Sequence, residues 1–320
     1  MRVRALLIVN PQATSTTRPV LDLIVRSLAA RVEIETVETR YRGHAREIAA
    51  AAAAEGRDAV LVLSGDGTIN EVVNGLMAGA APAGDPPPEP TARRLPAVGA
   101  LPGGNANVFA RALGVPADPA GAAERVGSRL AAGTTRTIGL GMAGDRYFTF
   151  SAGLGFDAET VRAVEDRRAH GRRASPGLYM RTALGVYYRV IDRRHPALTV
   201  EAPDRPAIEG LAMVIVSNTA PWTYVGPRPV NPTPYADFNT GLDLFALRRL
   251  TTFSTLNTVR QMLGGSGRPP AGKYAVSLHD EPELKTFSAA PTALQVDGEF
   301  VGEPESVTFR SVPDALRVIA

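Results

Sequence analysis

The stretch Leu63-Ser64-Gly65-Asp66-Gly67-Thr68-Ile69-Asn70-Glu71-Val72-Val73-Asn74-Gly75-Leu76 decides how the rest of the 320-residue chain is read. An apolar run, Ala59-Val60-Leu61-Val62-Leu63, feeds into it and reads as a buried parallel strand. The glycines flanking Asp66 permit a sharp turn and a close approach to a ligand. Beyond them Ile69, Val72, Val73 and Leu76 recur at three- and four-residue steps, which predicts a helix. Strand, glycine turn and helix start leave backbone N–H groups facing one point, an arrangement suited to phosphate. An ordinary tight turn with Asp66 as a helix N-cap fits the same residues, so the flanking sequence has to discriminate.

On the N-terminal side, residues 3–9 form an apolar strand. It ends at Asn10-Pro11-Gln12 and a hydroxyl-rich loop, Ala13-Thr14-Ser15-Thr16-Thr17. Pro19 opens a helix with apolar positions Val20, Leu23, Ile24 and Leu28. Residues 32–37 alternate as a second strand. The loop Thr39-Arg40-Tyr41-Arg42-Gly43-His44 and an alanine-rich helix over 45–55 follow. On the C-terminal side, residues 80–90 are proline-rich and read as an exposed insertion. Residues 97–101 make another strand. It runs into Pro102-Gly103-Gly104-Asn105-Ala106-Asn107-Val108-Phe109-Ala110-Arg111, a second glycine turn with a helix start. Two such junctions in one parallel sheet belong at its carboxyl edge, where open α/β sheets bind ligands.

From about residue 135 the texture changes to short alternating runs, at 136–140, 146–151, 198–202, 211–216, 242–247 and 274–278. These predict a mainly antiparallel second domain with inserted helices. The fold class expected is therefore α/β. A Rossmann-like parallel-sheet nucleotide domain over 1–134 precedes a β-rich sandwich over 135–310, and residues 311–320 are able to return to the first domain.

Composition excludes several classes. The chain is 44% hydrophobic and 21% charged, as for an ordinary globular protein, and no apolar run reaches the length of a membrane-spanning helix. The apolar core of residues 1–10 is short and lacks a small-residue cleavage site, so it reads as a strand and not a signal peptide. There is no cysteine, and His44, His170, His195 and His279 are too widely spaced to pair as zinc ligands. Net charge is +3, nearly all of the basic charge being arginine. That surplus is compatible with an anionic membrane surface, and no nucleic-acid partner is expected. Gly139-Leu140-Gly141-Met142-Ala143-Gly144 matches the dinucleotide fingerprint GxGxxG. A strand-like Arg146-Tyr147-Phe148 follows it in place of a helix, so it reads as a hairpin. Residues 161–191 combine Arg162, Arg167, Arg168, Arg172 and Arg173 with an aromatic helical segment. This is either a lipid-contacting stretch or a helix packed on its own sheet.

Phosphoryl transfer needs a nucleotide cradle, Mg²⁺ and a group to accept the acceptor's proton. Gly65, Gly67 and Thr68 supply one wall of a cradle and Gly103, Gly104 and Asn105 the other, while Asp66 reaches a metal. The proton acceptor is sought in Val296-Asp297-Gly298-Glu299. Asp-Gly there is equally a hairpin turn signal, and Asp297 and Glu299 are not separable on sequence.

Together these segments resemble the diacylglycerol kinase catalytic-domain family in its soluble bacterial lipid-kinase form. The resemblance is carried by Asn10-Pro11, by Thr39 with Gly43-His44-Ala45, by Gly65-Asp66-Gly67-Thr68-Ile69-Asn70-Glu71, by residues 101–111 and by Asp297-Gly298-Glu299. It implies ATP-dependent phosphorylation of a lipid hydroxyl in a cleft between a nucleotide domain and a β-rich lipid domain. Asn10, Pro11, Thr39, Gly65–Thr68, Asn70, Glu71 and Gly103–Asn105 are then the ATP-binding residues, and Asp66, Asp297 and Glu299 the catalytic ones. It further implies a cytoplasmic protein peripherally associated with the membrane, and the family includes homodimers. Residues 236–243 resemble a segment that holds a structural Mg²⁺ in some members, through the positions of Asp237, Thr240 and Leu242. Thr240 stands where a second carboxylate would be, and Asn105 where the family commonly has Thr. A kinase of NAD or another soluble acceptor, and a non-catalytic lipid-binding regulator, are the competing readings.

Overall fold

The computed structural model describes residues 2–78, 95–169, 182, 185–186 and 196–320. The proline-rich 80–90 and most of the 161–191 stretch lie outside the described residues. The chain forms two compact units. The first comprises Met1–Leu140, Asp145–Tyr147 and Val312–Ala320, the second Gly141–Gly144 and Phe148–Ser311. In order, the elements up to the first hairpin are β1 (Arg4–Val9), α1 (Arg18–Ala29), β2 (Glu33–Glu38), α2 (His44–Ala54), β3 (Ala59–Ser64), α3 (Asp66–Met77), β4 (Ala97–Pro102), α4 (Val108–Ala112), α5 (Pro119–Ala131), β5 (Arg136–Ala143) and β6 (Arg146–Phe148). Then come β7 (Ser151–Gly155), α6 (Phe156–Ala169), β8 (Leu198–Glu201), β9 (Ile208–Leu211), β10 (Met213–Ser217), β11 (Thr223–Val225), β12 (Arg228–Val230), β13 (Leu242–Leu247), α7 (Thr252–Leu263), β14 (Ala275–Glu281), β15 (Glu283–Ser288), β16 (Leu294–Val296), β17 (Glu299–Gly302) and β18 (Ser306–Val318).

In the first unit β2, β1, β3 and β4 lie side by side and parallel, and Val318 near the chain end pairs in parallel with Val98 of β4. Every residue of β3 and β4 is buried, which is why these strands read as continuous apolar runs and not as alternations. The face of α3 predicted from periodicity, Ile69, Val72, Val73 and Leu76, is fully buried. The alanines of α2 are explained by how closely α3 approaches. A Cβ on Gly75 would lie 2.2 Å from the Arg46 carbonyl oxygen, and Ala45, Ala49 and Ala52 are buried on the facing side. In α1 the buried line is Leu21, Ile24 and Leu28, whereas Leu23 is 38% exposed. The observed face is rotated by part of a turn from the expected one, because Leu21 and Leu23, on either side of Asp22, both satisfy a helical spacing.

The second unit carries an antiparallel sheet in the order β14-β13-β10-β7-β16-β17. A second group of antiparallel strands is formed by β9, β8, β15 and the first residues of β18. Phe148, Leu154, Val214, Leu244, Leu284 and Phe309 belong to one buried cluster joining the two layers, with Phe148 and Phe309 edge to face at 6.5 Å. The other face of β10 and β13, through Met213, Ile215, Phe245 and Leu247, buries Met262 of α7. The sandwich therefore has a helical layer outside one sheet. The GxGxxG run is a hairpin joining β5 and β6, with Gly144 at φ +61. The run expected as one strand over 146–151 is two, β6 and β7. Among the described residues no helix is long and apolar enough to cross a membrane.

Candidate active site

Register places Ser64 opposite Pro102, so the glycine turns after β3 and β4 are neighbours. They touch backbone to backbone. A Cβ on Gly104 would lie 2.6 Å from the Gly65 Cα, and one on Gly103 would lie 2.9 Å from the Ser64 Cα and N. The Gly103 N–H donates to the Ser64 carbonyl at 2.9 Å. Chain-to-chain contact alone therefore demands these glycines. Asn107, in the left-handed region at φ 47, closes the second turn, its Oδ1 accepting from Gly104 N and its Nδ2 donating to Gly104 O, both at 2.8 Å. Asn105 is exposed on the same turn.

The acidic side chains of the signature are engaged by backbone. Asp66 accepts from the Val108 and Phe109 N–H groups, each at 3.0 Å, and so caps α4. Glu71 accepts from Gly43 N at 2.8 Å and Ala45 N at 3.2 Å, and so caps α2. In contrast α3 starts from Gly65 with no side-chain cap among the described residues. The first-turn amides at Asp66, Gly67 and Thr68 have no acceptor within the helix. The segment caps both neighbouring helices and leaves its own N-terminus, with its positive dipole end, for an anion.

A hydroxyl cluster borders that point. Thr68 Oγ1 accepts from Ser64 Oγ at 2.8 Å and from Asn10 Nδ2 at 3.3 Å. Asn10 Oδ1 in turn accepts from Gln12 N at 2.9 Å, folding the loop that contains Pro11 into a tight turn. Thr16 Oγ1 is buried with no hydrogen-bond partner among the described residues, 3.0 Å from where a Cβ on Gly103 would sit. Thr39 follows β2, with its N–H on the Val9 carbonyl at 2.8 Å, at the same edge of the sheet. The structure thus gathers Asn10, Gly65, Thr68, Gly103 and Gly104 and puts Thr39 along the edge. Asn70 is directed elsewhere. It is wholly buried, its Oδ1 accepts from Arg146 Nη2 at 2.7 Å, and its Nδ2 donates to the Tyr147 carbonyl at 2.8 Å.

In the second unit Asp297 and Gly298 form a two-residue hairpin between β16 and β17, both left-handed at φ 47 and 78, with Val296 paired to Glu299. Asp297 is buried. Its Oδ2 accepts from Thr149 N at 2.7 Å and Thr149 Oγ1 at 2.9 Å, and its Oδ1 from Phe150 N at 3.0 Å and Ser151 N at 3.2 Å. Glu299 is partly exposed just beyond the turn. Gln295 supports the turn from beneath, accepting from Gly298 N at 2.8 Å and donating to Asp157 Oδ2 at 2.8 Å. Burial pushes the Asp157 carboxyl up to about 7, against the lowering effect of the Gln295 bond. Sequence reading missed Thr149, Ser151, Gln295, Asp157 and Asn107. For Asn107, an asparagine three residues past a glycine pair was a usable signal; backbone donors such as those at 149–151 leave none.

Asp237 and Thr240 sit in a turn leading into β13, of which Leu242 is the first residue, and the turn is tied to Asp280, whose Oδ1 accepts from Gly241 N at 2.6 Å. Asp237 Oδ1 accepts from Asn239 N at 3.0 Å, and Thr240 Oγ1 donates to the Asp237 carbonyl at 3.0 Å. Among the described residues no group of three or more His, Asp or Glu side chains gathers around a point.

Residues 4–143 match the model of the diacylglycerol kinase catalytic domain. A diacylglycerol kinase of Bacillus subtilis is 35% identical over 155 residues, which are 48% of this chain and 46% of the relative. A diacylglycerol kinase of Staphylococcus aureus is 31% identical over 150 residues, 46% of this chain and 42% of the relative. The chain thus spans about half the length of the curated relatives it matches. A crystal structure of a diacylglycerol kinase from Bacillus anthracis aligns over 99% of this chain and 97% of its own at 19% identity, with a TM-score of 0.68, a likeness of fold.

Proposed function

From the match of residues 4–143 to the diacylglycerol kinase catalytic domain, we propose that the chain transfers the γ-phosphoryl group of ATP to a lipid hydroxyl, diacylglycerol or a close relative. The observation that carries this reading is the uncapped N-terminus of α3, set between two helices that the same segment does cap. Triphosphate oxygens would accept from the Gly67 and Thr68 amides, and the unpartnered Thr16 hydroxyl would supply a further donor. The kinase family brings Mg²⁺ with the nucleotide. The donor set suits that ion, since Mg²⁺ is commonly held by one or two carboxylates together with phosphate and water, and Asp66 is the carboxylate at this turn. When bound, the ion would neutralise phosphate charge.

The proton acceptor in this reading comes from the Asp297-Gly298-Glu299 turn. The four hydrogen bonds to Asp297 make it the anchor of its turn, and we assign the proton acceptor to Glu299, which is partly exposed just beyond that turn. The lipid hydroxyl oxygen forms a bond to the γ-phosphorus as the bond from that phosphorus to the bridging oxygen breaks. The hydroxyl proton passes to Glu299, and ADP leaves. The test is labelled ATP with a lipid panel in mixed micelles, run beside glycerol and NAD as soluble acceptors. Labelled phosphatidic-acid-type product is the expected result; labelled NADP with no lipid product would replace this reading with a soluble-acceptor kinase.

A further inference from the structure

One face of α7 is apolar and open to solvent. Phe253 is 90% exposed and Leu256 64%, and Val259 and Leu263 extend the stripe along about 15 Å of helix. The opposite face, with Thr258 and Met262, is buried against the sheet, so the outer stripe contributes nothing to this unit's core. A single exposed leucine needs no explanation, but four apolar side chains in one line on a helix do.

The charge around that stripe is one-sided. Residues 244–279 contain no aspartate or glutamate, and carry Arg248, Arg249, Arg260, Arg268 and Lys273, all exposed. Arg260 lies within the stripe, while Arg248 and Arg249 immediately precede the helix. The loop bearing Arg268 is folded back on α7 by a pair of 2.9 Å hydrogen bonds between Gln261 and the Ala271 backbone. Even the N-cap is neutral. Thr251 caps the helix, and its first turn has no acidic residue where one would usually be favoured.

We propose that α7 is a membrane-docking helix that lies in the surface of an anionic bilayer. Phe253 and Leu256 enter the acyl boundary, and the surrounding arginines and Lys273 sit among the phosphate head groups. The paired requirement for apolar depth and negative surface selects a lipid bilayer over a protein partner or a second copy of the chain. A second copy would set these cations against each other. The proposal rests on the lipid-kinase reading for its purpose, since such an enzyme meets its acceptor at a bilayer, but it can be tested apart from it.

The experiment is co-sedimentation of the full chain with vesicles of phosphatidylcholine alone or mixed with phosphatidylglycerol, at low and high salt. Wild type should bind the anionic vesicles and be released by salt. The double variant Phe253→Ser, Leu256→Ser should bind roughly tenfold or more weakly with an unchanged melting temperature. Because the chain has no cysteine, Phe253→Cys can carry an environment-sensitive dye, whose emission should shift to the blue on anionic vesicles. Binding by the double variant equal to wild type, or an unshifted dye, overturns the proposal. So does a wild-type dimer in light scattering that the double variant converts to monomer. Phosphorylation of monomeric short-chain diacylglycerol is measured alongside. If vesicle binding through α7 holds while no lipid is phosphorylated, the docking surface stands and the kinase reading falls. If lipid is phosphorylated but the variant binds vesicles normally, the reverse holds.

Discussion

The glycine turns of the first unit and the Asp-Gly hairpin of the second are the two regions where functional residues were sought, and they are built by opposite means. The first removes side chains so that two turns can touch through backbone, at Gly65, Gly103 and Gly104. The second places a charged side chain in a left-handed conformation and ties it down with four hydrogen bonds. In both, however, the most conspicuous carboxylates serve the architecture. Asp66 and Glu71 cap neighbouring helices, and Asp297 anchors a strand end. For a ligand the first region offers backbone amides and hydroxyls beside the Asp66 carboxylate, and the second offers the Glu299 carboxylate just beyond the turn. A motif's acidic letters therefore do not by themselves name its chemistry.

The largest expected effect separates Glu299 from Asp297. Glu299→Gln should lower kcat roughly 10²- to 10⁴-fold with an unchanged melting temperature. Asp297→Asn would turn an amide N–H₂ toward a row of donors, and should cost on the order of 2–4 kcal/mol in denaturant unfolding. If Glu299→Gln keeps full turnover, the division between anchor and base collapses.

Next in size is the pH dependence that Asp157 gives the second unit. Its carboxyl titrates in the ordinary carboxylate range when unfolded and near 7 when folded, so the native state holds the extra proton between. Its contribution is fully present below about pH 4 and is lost as pH rises through about 7, which amounts to roughly 3 kcal/mol between pH 5 and pH 8. Asp157→Asn keeps an acceptor for Gln295 and should flatten that slope in melts across the same range. A variant whose slope matches wild type would show that the proton is not held there.

The smallest effect tests the caps. Glu71→Ala exposes the Gly43 and Ala45 amides and should cost about 1–2 kcal/mol, while the ATP-induced thermal shift stays nearly constant. A variant of normal stability that no longer responds to ATP would return Glu71 to the nucleotide.

Much of this was legible in the sequence. The uninterrupted apolar runs of β3 and β4 announced strands covered on both faces, and the spacing of Ile69, Val72, Val73 and Leu76 gave the buried face of α3. The Asp297-Gly298 pair announced its hairpin. Less legible were α7, whose apolar residues point both inward and outward and so blur the period, and the short β16 and β17, whose pattern is set by pairing partners.

By itself the sequence determined the α/β class, the two glycine turns at one sheet edge and the resemblance of residues 4–143 to the diacylglycerol kinase catalytic domain, because hydrophobic period and glycine placement are local properties. Tertiary structure alone decided what each polar side chain of those turns does. Hydrogen-bond partners forty or more residues away, as between Asp66 and Val108, are a matter of which backbone donors the fold leaves unsatisfied nearby. That is why Gly65-Asp66-Gly67 could be recognised from its letters, yet the role of its aspartate could not be read from them.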